Sequence, residues 1–206
     1  MRIITISREF GSGGRELGKR MADIVGFDYY DSEIISAVAK KSGLDSHYVE
    51  NTLRDHGWRN QPISFRGTLH SSAYVQSSKI DLLLDQKKVI EEIASFGKDC
   101  VIVGRNADVI LQEYHPFNLF VCADVQARIR RCREMAGEGE NLTDKELLRK
   151  MKQIDKIRSQ TRVLISASEW GMPDAYHLTV NTSDWDIREL AFAVAKYAEC
   201  WFGRKQ

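Results

Sequence analysis

The sequence contains few of the patterns that disulfide bridges, zinc sites and membrane-spanning segments require. Its 206 residues include four cysteines without paired spacing and five scattered histidines, which argues against disulfide bridges and a zinc site. No apolar run approaches the roughly 20 residues that span a bilayer. The N-terminus enters a strand directly, so no signal peptide is predicted. We therefore expect a soluble, cytoplasmic protein with reduced thiols and no membrane partner.

The net charge is also small, at a formal +1, because 30 Lys or Arg nearly balance 29 Asp or Glu. This balance argues against wholesale nucleic-acid binding. The distribution is uneven, however: residues 128–162 contain eleven Lys or Arg and six Asp or Glu, which leaves the rest of the chain at −4. Residues 128–162 therefore form a distinct cationic segment.

Apolar runs near Ile3, Phe27, Cys100, Leu119 and Leu178 predict five strands, and stretches with helical periodicity separate them. Strands that alternate with helices predict a parallel sheet with helices on both faces. The length fits one domain, residues 1–206. The fold class is therefore α/β, in three layers.

The first predicted strand runs directly into a glycine cluster and then a helix, over residues 2–17, RIITISREFGSGGREL. Glycines allow positive φ and close backbone approach, and a helix N-terminus attracts anions. The pattern predicts a phosphate-binding loop, the alternative being a structural glycine turn. Five strands with such a loop after the first are the layout of a small P-loop kinase.

The loop departs from the P-loop signature G-x-x-x-x-G-K-[ST]. With Gly11 and Gly13 as the loop glycines, Gly14 takes the place of the lysine; with Arg15 in that place instead, Glu9 replaces the first glycine and Glu16 the hydroxyl residue. Arg15 is the nearest substitute cation, although its planar fork differs from a compact ammonium group. Glu16 could ligate Mg²⁺ or repel a triphosphate.

Polar residues follow two other predicted strands. Gly104-Arg105-Asn106 ends the third strand and Asp31-Ser32 the second, and the carboxyl ends of parallel strands face the ligand crevice. Arg105 is therefore a site candidate, with a surface ion pair as the alternative; Asp31 or Ser32 would cap a helix or hold substrate. The irregular stretch Gly57–Ser78, with Arg54, Arg59 and Arg66 in or beside it, predicts either a functional loop or a solvated one.

The cationic segment predicts two helices joined by a glycine turn at residues 137–139. Thr143 and Glu146 form a predicted capping box for the second helix, and Thr182-Ser183 with Asp186 for the last helix of the chain. A hinged basic hairpin beside a phosphate loop indicates a lid, residues 124–165. A solvated face or a nucleic-acid patch remains the alternative.

Seven motifs occur in a characteristic order: ITIS with GSGG, YYDSEII, VIVGRNAD, LFVCADVQARIRR, IDKIR, WG and YHLTVNTS. In order and spacing the chain resembles cytidylate kinase and, more closely, the bacterial cytidylate kinase-like proteins with the loop SREFGSGGRE. The resemblance covers nearly the whole chain. It implies ATP-dependent, Mg²⁺-dependent phosphorylation of CMP or dCMP, with residues 31–96 as an acceptor-binding insert.

The resemblance also implies roles for individual residues. The loop Gly11, Ser12, Gly13, Gly14, Arg15 and Glu16 would hold ATP, joined by Arg128 and Arg131 of the lid. Arg105 with Asn106 would bind the acceptor phosphate, and Ser32 the nucleobase or ribose region. Asp155 would read the cytosine amino edge or orient Arg158. Arg15, Arg105 and Arg158 would be the catalytic cations, with Glu16 as a Mg²⁺ ligand.

Several family positions are not kept. Asn106 replaces the aspartate of G-R-D, Ala37 replaces an arginine after Ser32, and Met151 replaces an arginine before Asp155. Because phosphoryl transfer depends on positioning and charge neutralisation, such losses threaten its rate. The hypotheses are therefore a kinase for a nucleoside monophosphate or similar small anion, or a nucleotide-binding regulatory protein without turnover. An RNA-binding basic surface is the third.

Overall fold

The computed structural model describes residues 1–43, 71–136 and 142–204. The chain divides into two compact units, Met1–Asp31 with Phe96–Gln206, and Ser32–Ser95. The smaller unit covers almost the same residues as the predicted insert, residues 31–96. That this unit binds an acceptor stays a prediction.

The larger unit contains a five-stranded parallel sheet. Its strands are β1 (Ile3–Arg8), β2 (Asp28–Tyr30), β3 (Cys100–Val103), β4 (Phe117–Cys122) and β5 (Leu178–Asn181), in the order β2-β3-β1-β4-β5. All five predicted strands are confirmed, and each neighbouring pair is parallel. Strand β1 lies in the centre, where both faces are covered, which explains why its residues are buried without alternation from Ile3 to Ser7.

Alternating side chains divide the sheet into two faces. One face, with Ile4, Ile6 and Phe117, packs against helices α1 (Gly14–Val25) and α7 (Ile187–Phe202) in the main core. On the opposite face Phe120 contacts the rings of Trp170 and Tyr176. The predicted α/β sandwich is confirmed.

Three further helices belong to the larger unit: α4 (Ala107–Ile110), α5 (Val125–Glu134) and α6 (Asp144–Val163). Helices α5 and α6 contain the cationic segment. The capping box of Thr143 and Glu146 is confirmed. At the last helix the cap is Asp186, whose carboxylate accepts from the N–H of Arg188. The predicted capping box, with Thr182-Ser183 as the cap and Asp186 inside the helix, is therefore wrong. The predicted glycine turn at residues 137–139 lies outside the described residues.

The smaller unit contains α2 (Glu33–Ser42) and α3 (Ser71–Ser95), joined by an ion pair between Lys41 and Glu92. We predicted a helix from Lys79 and an irregular loop up to Ser78, yet α3 begins at Ser71. The loop prediction is therefore wrong for residues 71–78, where serines suggested a loop but no glycine or proline interrupts the helix. Residues 57–70, with Arg59 and Arg66, lie outside the described residues, as does Arg54.

Candidate functional site

The glycine loop joins the carboxyl end of β1 to the N-terminus of α1. Gly11 and Gly13 have φ values of +78° and +81°, the left-handed region that favours glycine. The first bond of the helix runs from the N–H of Leu17 to the carbonyl of Gly13 at 2.9 Å, and no side chain caps this end. The N–H groups of Gly14, Arg15 and Glu16 thus lack intrahelical acceptors, which is the arrangement that commonly binds anions at helix N-termini.

Close packing fixes the loop on its outer side. A β-carbon at Gly11 would lie 2.9 Å from Sγ of Cys132, and one at Gly13 would lie 2.8 Å from Cδ1 of Ile187. Helices α5 and α7 therefore leave room only for glycine at these two positions. The predicted glycine pattern thus has a steric cause as well as a conformational one.

A carboxylate and an arginine brace the loop from α6 and α5. Asp155 accepts from the N–H of Phe10 at 2.8 Å and also pairs with Arg128, whose Nε donates to the carbonyl of Phe10 at 2.6 Å. Arg128 further pairs with Glu9 at 3.3 Å, and Glu9 accepts from the N–H of Ala123 at 3.0 Å. Arg128 is only 7% exposed, so contact with ATP would require it to leave these partners.

Thr182 ties the other side of the loop to the end of β5. Its hydroxyl donates to the carbonyl of Ser12 at 2.6 Å and accepts from Nη1 of Arg131 at 3.0 Å. Arg131 also donates to the carbonyls of Thr182 and Trp185, and its Nε lies 3.7 Å from the β-carbon position of Gly13. Burial first, then neighbouring Arg130, lowers the pKa of Arg131. This guanidinium lies beside the loop, as its predicted role requires.

Asp31, at the end of β2, is buried and pairs with two arginines. Its Oδ2 lies 2.5 Å from Nε of Arg15, and its Oδ1 lies 3.7 Å from Nη2 of Arg8. The Arg15 side chain is 56% exposed, whereas that of Arg8 is 15% exposed. The hydroxyl of the next residue, Ser32, makes no capping hydrogen bond although Ser32 is the N-cap of α2.

The end of β3 has an unusual backbone. Gly104, Arg105 and Asn106 have consecutive φ values of +76°, +60° and +53°. A non-glycine residue in this region costs on the order of 1–3 kcal/mol and persists only where its surroundings fix it, which is common at functional sites. The strain falls on the two residues that the sequence identified at this strand end.

Helix α6 carries two arginines that connect the site to the sheet. Arg158 donates to the carbonyl of Arg8 at 2.8 Å and lies 3.3 Å from Asp155. One turn later, Arg162 pairs with Asp108 of α4 at 2.5 Å, and both side chains are almost fully buried. Asp108 follows Arg105 by three residues, so this pair joins the α4 segment to the helix of Arg158.

The cysteines and acidic residues offer little alternative chemistry. All four cysteines are free, and burial raises the pKa of the Cys100 thiol to about 12 and that of Cys132 above its usual value. Within the described ranges, no group of three His, Cys, Asp or Glu residues could hold a metal ion. Nor does any described helix have the length and apolarity to cross a membrane.

A model of the cytidylate kinase-like family matches residues 3–184. The chain belongs to the cytidylate kinase-like family. Among curated proteins, it is 25% identical over 184 residues to a cytidylate kinase of Ralstonia nicotianae, covering 78% of this chain and 77% of that protein. The resemblance inferred from the motifs is confirmed.

Solved structures support the same fold for this cytidylate kinase-like protein. A protein from Eubacterium ventriosum matches with a TM-score of 0.70 and 24% identity, over 97% of this chain and 99% of that one. Shikimate kinase from Acinetobacter baumannii, in complex with shikimate, matches with a TM-score of 0.57 and 13% identity, over 99% and 96%. The fold is that of P-loop kinases, and family and fold together support a kinase-like phosphotransferase.

The structure brings part of the predicted site together. The loop, Arg128, Arg131, Asp155 and Arg158 form one connected group, while Glu16 pairs with Arg20 on α1 at 2.8 Å. The roles of all these residues stay predictions. The motifs do not identify Arg8, and they identify Thr182 only as a helix cap and Glu9 only as a departure from the signature. One signal was available: two charged residues, Arg8 and Glu9, stand between a buried strand and the glycines.

Proposed function

We propose that this protein transfers the γ-phosphoryl group of ATP, with Mg²⁺, to CMP, dCMP or a related small phosphorylated acceptor. The proposal rests on one observation: the N-terminus of α1, which no side chain caps, lies at the same edge of the sheet as the carboxyl ends of β1 and β3. A phosphate-binding loop and strand-end cations at one edge suit a phosphoryl transfer between two anions.

On the donor side, the glycine loop would hold the triphosphate. The N–H groups of Gly13, Gly14, Arg15 and Glu16 lie at the positive end of the helix dipole. Arg131 beside Gly13 would add a fixed charge. The braces from Asp155 and Thr182 support this role, because they fix the loop before any ligand binds.

On the acceptor side, Arg105 and Arg158 would bind the acceptor phosphate, with Asn106 beside them and Ser32 near the nucleoside. Both oxygens of Asp155 already accept hydrogen bonds from Phe10, Arg158 or Arg128. Of its two predicted roles, the contacts of Asp155 therefore favour the orientation of Arg158 over reading the cytosine edge.

The reaction would be an in-line displacement. An oxygen of the acceptor phosphate attacks the γ-phosphorus while the bond to the β–γ bridging oxygen breaks, giving ADP and the diphosphate of the acceptor. The arginines neutralise the charge on the transferred group, and closure of residues 124–165 would exclude water. Such closure is part of the proposal.

Mg²⁺ would be held mainly through phosphate oxygens, as is usual for this ion, with one protein carboxylate. Glu16 fits this requirement, because it stands in the first turn of α1 and its partner Arg20 forms an exposed pair, which is easily exchanged. When bound, the ion neutralises charge on the β- and γ-phosphates.

A steady-state assay with ATP, Mg²⁺ and each of CMP, dCMP, UMP and AMP tests the proposal. We expect turnover with CMP or dCMP above the rate without acceptor. If the rate with each of the four acceptors is no higher than in a protein-free control, the proposal that a nucleoside monophosphate is the acceptor is wrong.

The second candidate is a nucleotide-binding regulatory protein that keeps the kinase fold without turnover. Gly14 in place of the loop lysine favours it, as does the pairing of Glu16 with Arg20. Thermal-shift titration with ATP–Mg²⁺ and CMP, run beside the assay, separates the two. A rise in melting temperature without product favours the regulatory protein, and a rise with product favours the kinase.

A further inference from the structure

The loop lacks the cation that the P-loop signature places after its last glycine. Gly14 holds that position, and the next residue, Arg15, is 56% exposed and pairs with Asp31. The chain can also be aligned with the signature so that the signature's first position falls at Arg8. Counted from there, Arg8 stands where the signature has its first glycine, and Gly13 and Gly14 where it has the last glycine and the lysine.

Positions 8 and 14, at which the chain departs from the signature in this alignment, are in contact. A β-carbon at Gly14 would lie 2.6 Å from Cβ of Arg8 and 3.1 Å from Cγ. No residue with a side chain can stand at position 14 unless the stem of Arg8 moves. The arginine and the missing lysine are therefore alternatives for one volume between β1 and α1.

The guanidinium of Arg8 lies across the end of the neighbouring strand. A β-carbon at Gly104 would lie 1.7 Å from Nη1 of Arg8, so the group rests directly on the Gly104 backbone. Its Nη2 is 3.7 Å from Asp31, and its own carbonyl accepts from Arg158 at 2.8 Å. The charge is thus held in front of β3, between the loop and the Arg105 turn.

We propose that Arg8 is the cation of this phosphate loop and binds the terminal phosphate of the nucleoside triphosphate. The proposal rests on the proposed function. An arginine fork presents two parallel N–H groups to phosphate oxygens and stays charged at every relevant pH. Asp31 is its positioning residue, because one buried carboxylate faces the two guanidinium groups of Arg8 and Arg15.

Calorimetric titration with ATP–Mg²⁺ tests this assignment in a cycle of variants. Arg8→Met keeps the stem and removes the charge, and we expect affinity to fall about 10- to 100-fold, the range of a lost charge-assisted hydrogen bond. Gly14→Lys alone should also weaken binding, because the new stem meets Cβ of Arg8. Arg8→Gly alone should weaken binding at least as much as Arg8→Met, whereas the double variant Arg8→Gly with Gly14→Lys should recover affinity to within a few-fold of wild type, so the two changes are non-additive.

Two controls keep the result specific. Arg2→Met removes a charge beyond the other end of β1, where Arg2 pairs with Asp99, and should leave ATP affinity unchanged. Arg15→Met should weaken binding less than Arg8→Met. Urea unfolding of each variant identifies loss of fold; if Arg8→Met does not fold, Gly104→Ala serves instead, since its methyl group displaces the guanidinium and should weaken binding as much.

Two results would overturn the assignment while leaving the proposed function intact. One is an ATP–Mg²⁺ affinity of Arg8→Met equal to that of the wild type. The other is a loss of affinity in the double variant that equals the sum of the losses in its single variants. A larger loss for Arg15→Met than for Arg8→Met would assign the charge to Arg15 instead. Failure of the wild-type protein to bind ATP–Mg²⁺ would overturn both proposals.

Discussion

Arg8 and Gly14 share one small volume at the end of β1: a β-carbon at Gly14 would lie 2.6 Å from the β-carbon of Arg8. With Arg8 as the proposed cation, the contact would explain how the loop can keep the backbone of a phosphate site without its lysine. The N–H groups that bind anions belong to the helix N-terminus and do not depend on the side chain at position 14. Under the proposed assignment, only the residue that supplies the charge differs from the signature.

Gly13→Ala should damage both stability and ATP binding. Its φ of +81° costs an alanine about 1–2 kcal/mol, and the new methyl group would lie 2.8 Å from Cδ1 of Ile187, which adds about 1 kcal/mol of overpacking. Gly26→Ala is the matched control, with a φ of +72° and open space around the added carbon. Urea unfolding with ATP calorimetry should show the smaller loss and unchanged affinity for Gly26→Ala; equal behaviour of the two variants would contradict the packing of the loop.

Thr182→Val should loosen the loop without an added clash. The change removes the donor to the carbonyl of Ser12 and an acceptor of Arg131, and unsatisfied buried groups cost about 1–3 kcal/mol. Thr179→Val, an exposed threonine in the same strand β5, should change the free energy of unfolding by less than about 0.5 kcal/mol. Chemical denaturation of both variants is the measurement. Indistinguishable losses would show that Thr182 does not anchor the loop.

The Asp108–Arg162 pair should behave as a buried ion pair. Both side chains are at most 3% exposed, so Arg162→Met leaves a buried carboxylate without its partner and should cost about 3–5 kcal/mol. The double variant Asp108→Leu with Arg162→Met should recover much of that loss. The exposed pair of Arg133 and Asp144 is the control, and Arg133→Met should cost under about 1 kcal/mol. Additive losses in the double variant would contradict the pairing.

Stability should fall at mildly acidic pH through His177. Its Nδ1 accepts from the N–H of Asn118 at 2.9 Å, and partial desolvation of this solvent-accessible ring, then Arg204, lowers its pKa below the usual 6.5. Between the lowered pKa and 6.5, the unfolded chain binds a proton that the folded chain does not, so the free energy of unfolding rises with pH. This contribution is complete above pH 6.5 and is lost as the pH falls towards the lowered value.

Urea unfolding at several pH values between 7.5 and 5.5 measures the effect. The slope of the free energy of unfolding against pH should be smaller for His177→Asn, whose side-chain oxygen can accept the same N–H without titrating. An unchanged slope in this variant would show that another group causes the pH dependence.

The fold could be predicted because its signals are local. Five apolar runs and the helical stretches between them indicate a parallel α/β sheet, and Gly11 to Gly14 mark the loop that follows β1. The error at α3 had the same local origin, since serines at residues 71–78 suggested a loop where the helix continues.

The bracing of the site could not be predicted, because it depends on which strands are neighbours. The order β2-β3-β1-β4-β5 brings Arg8 to Gly104 and Asp31, and Thr182 to Ser12. These residues are separated by 23 to 170 positions in sequence. Thr182 was therefore interpreted as a helix cap, and the missing charge was sought at Arg15, next to the gap, rather than at Arg8.

Binding of ATP–Mg²⁺ at the glycine loop is the claim on which all the rest depends, and amide NMR of isotope-labelled protein tests it directly. On titration we predict saturable shifts of the backbone amides of Gly13, Gly14 and Arg15, with adenosine at equal concentration leaving them unmoved. Saturable shifts confined to other parts of the chain, or none at all, would contradict it.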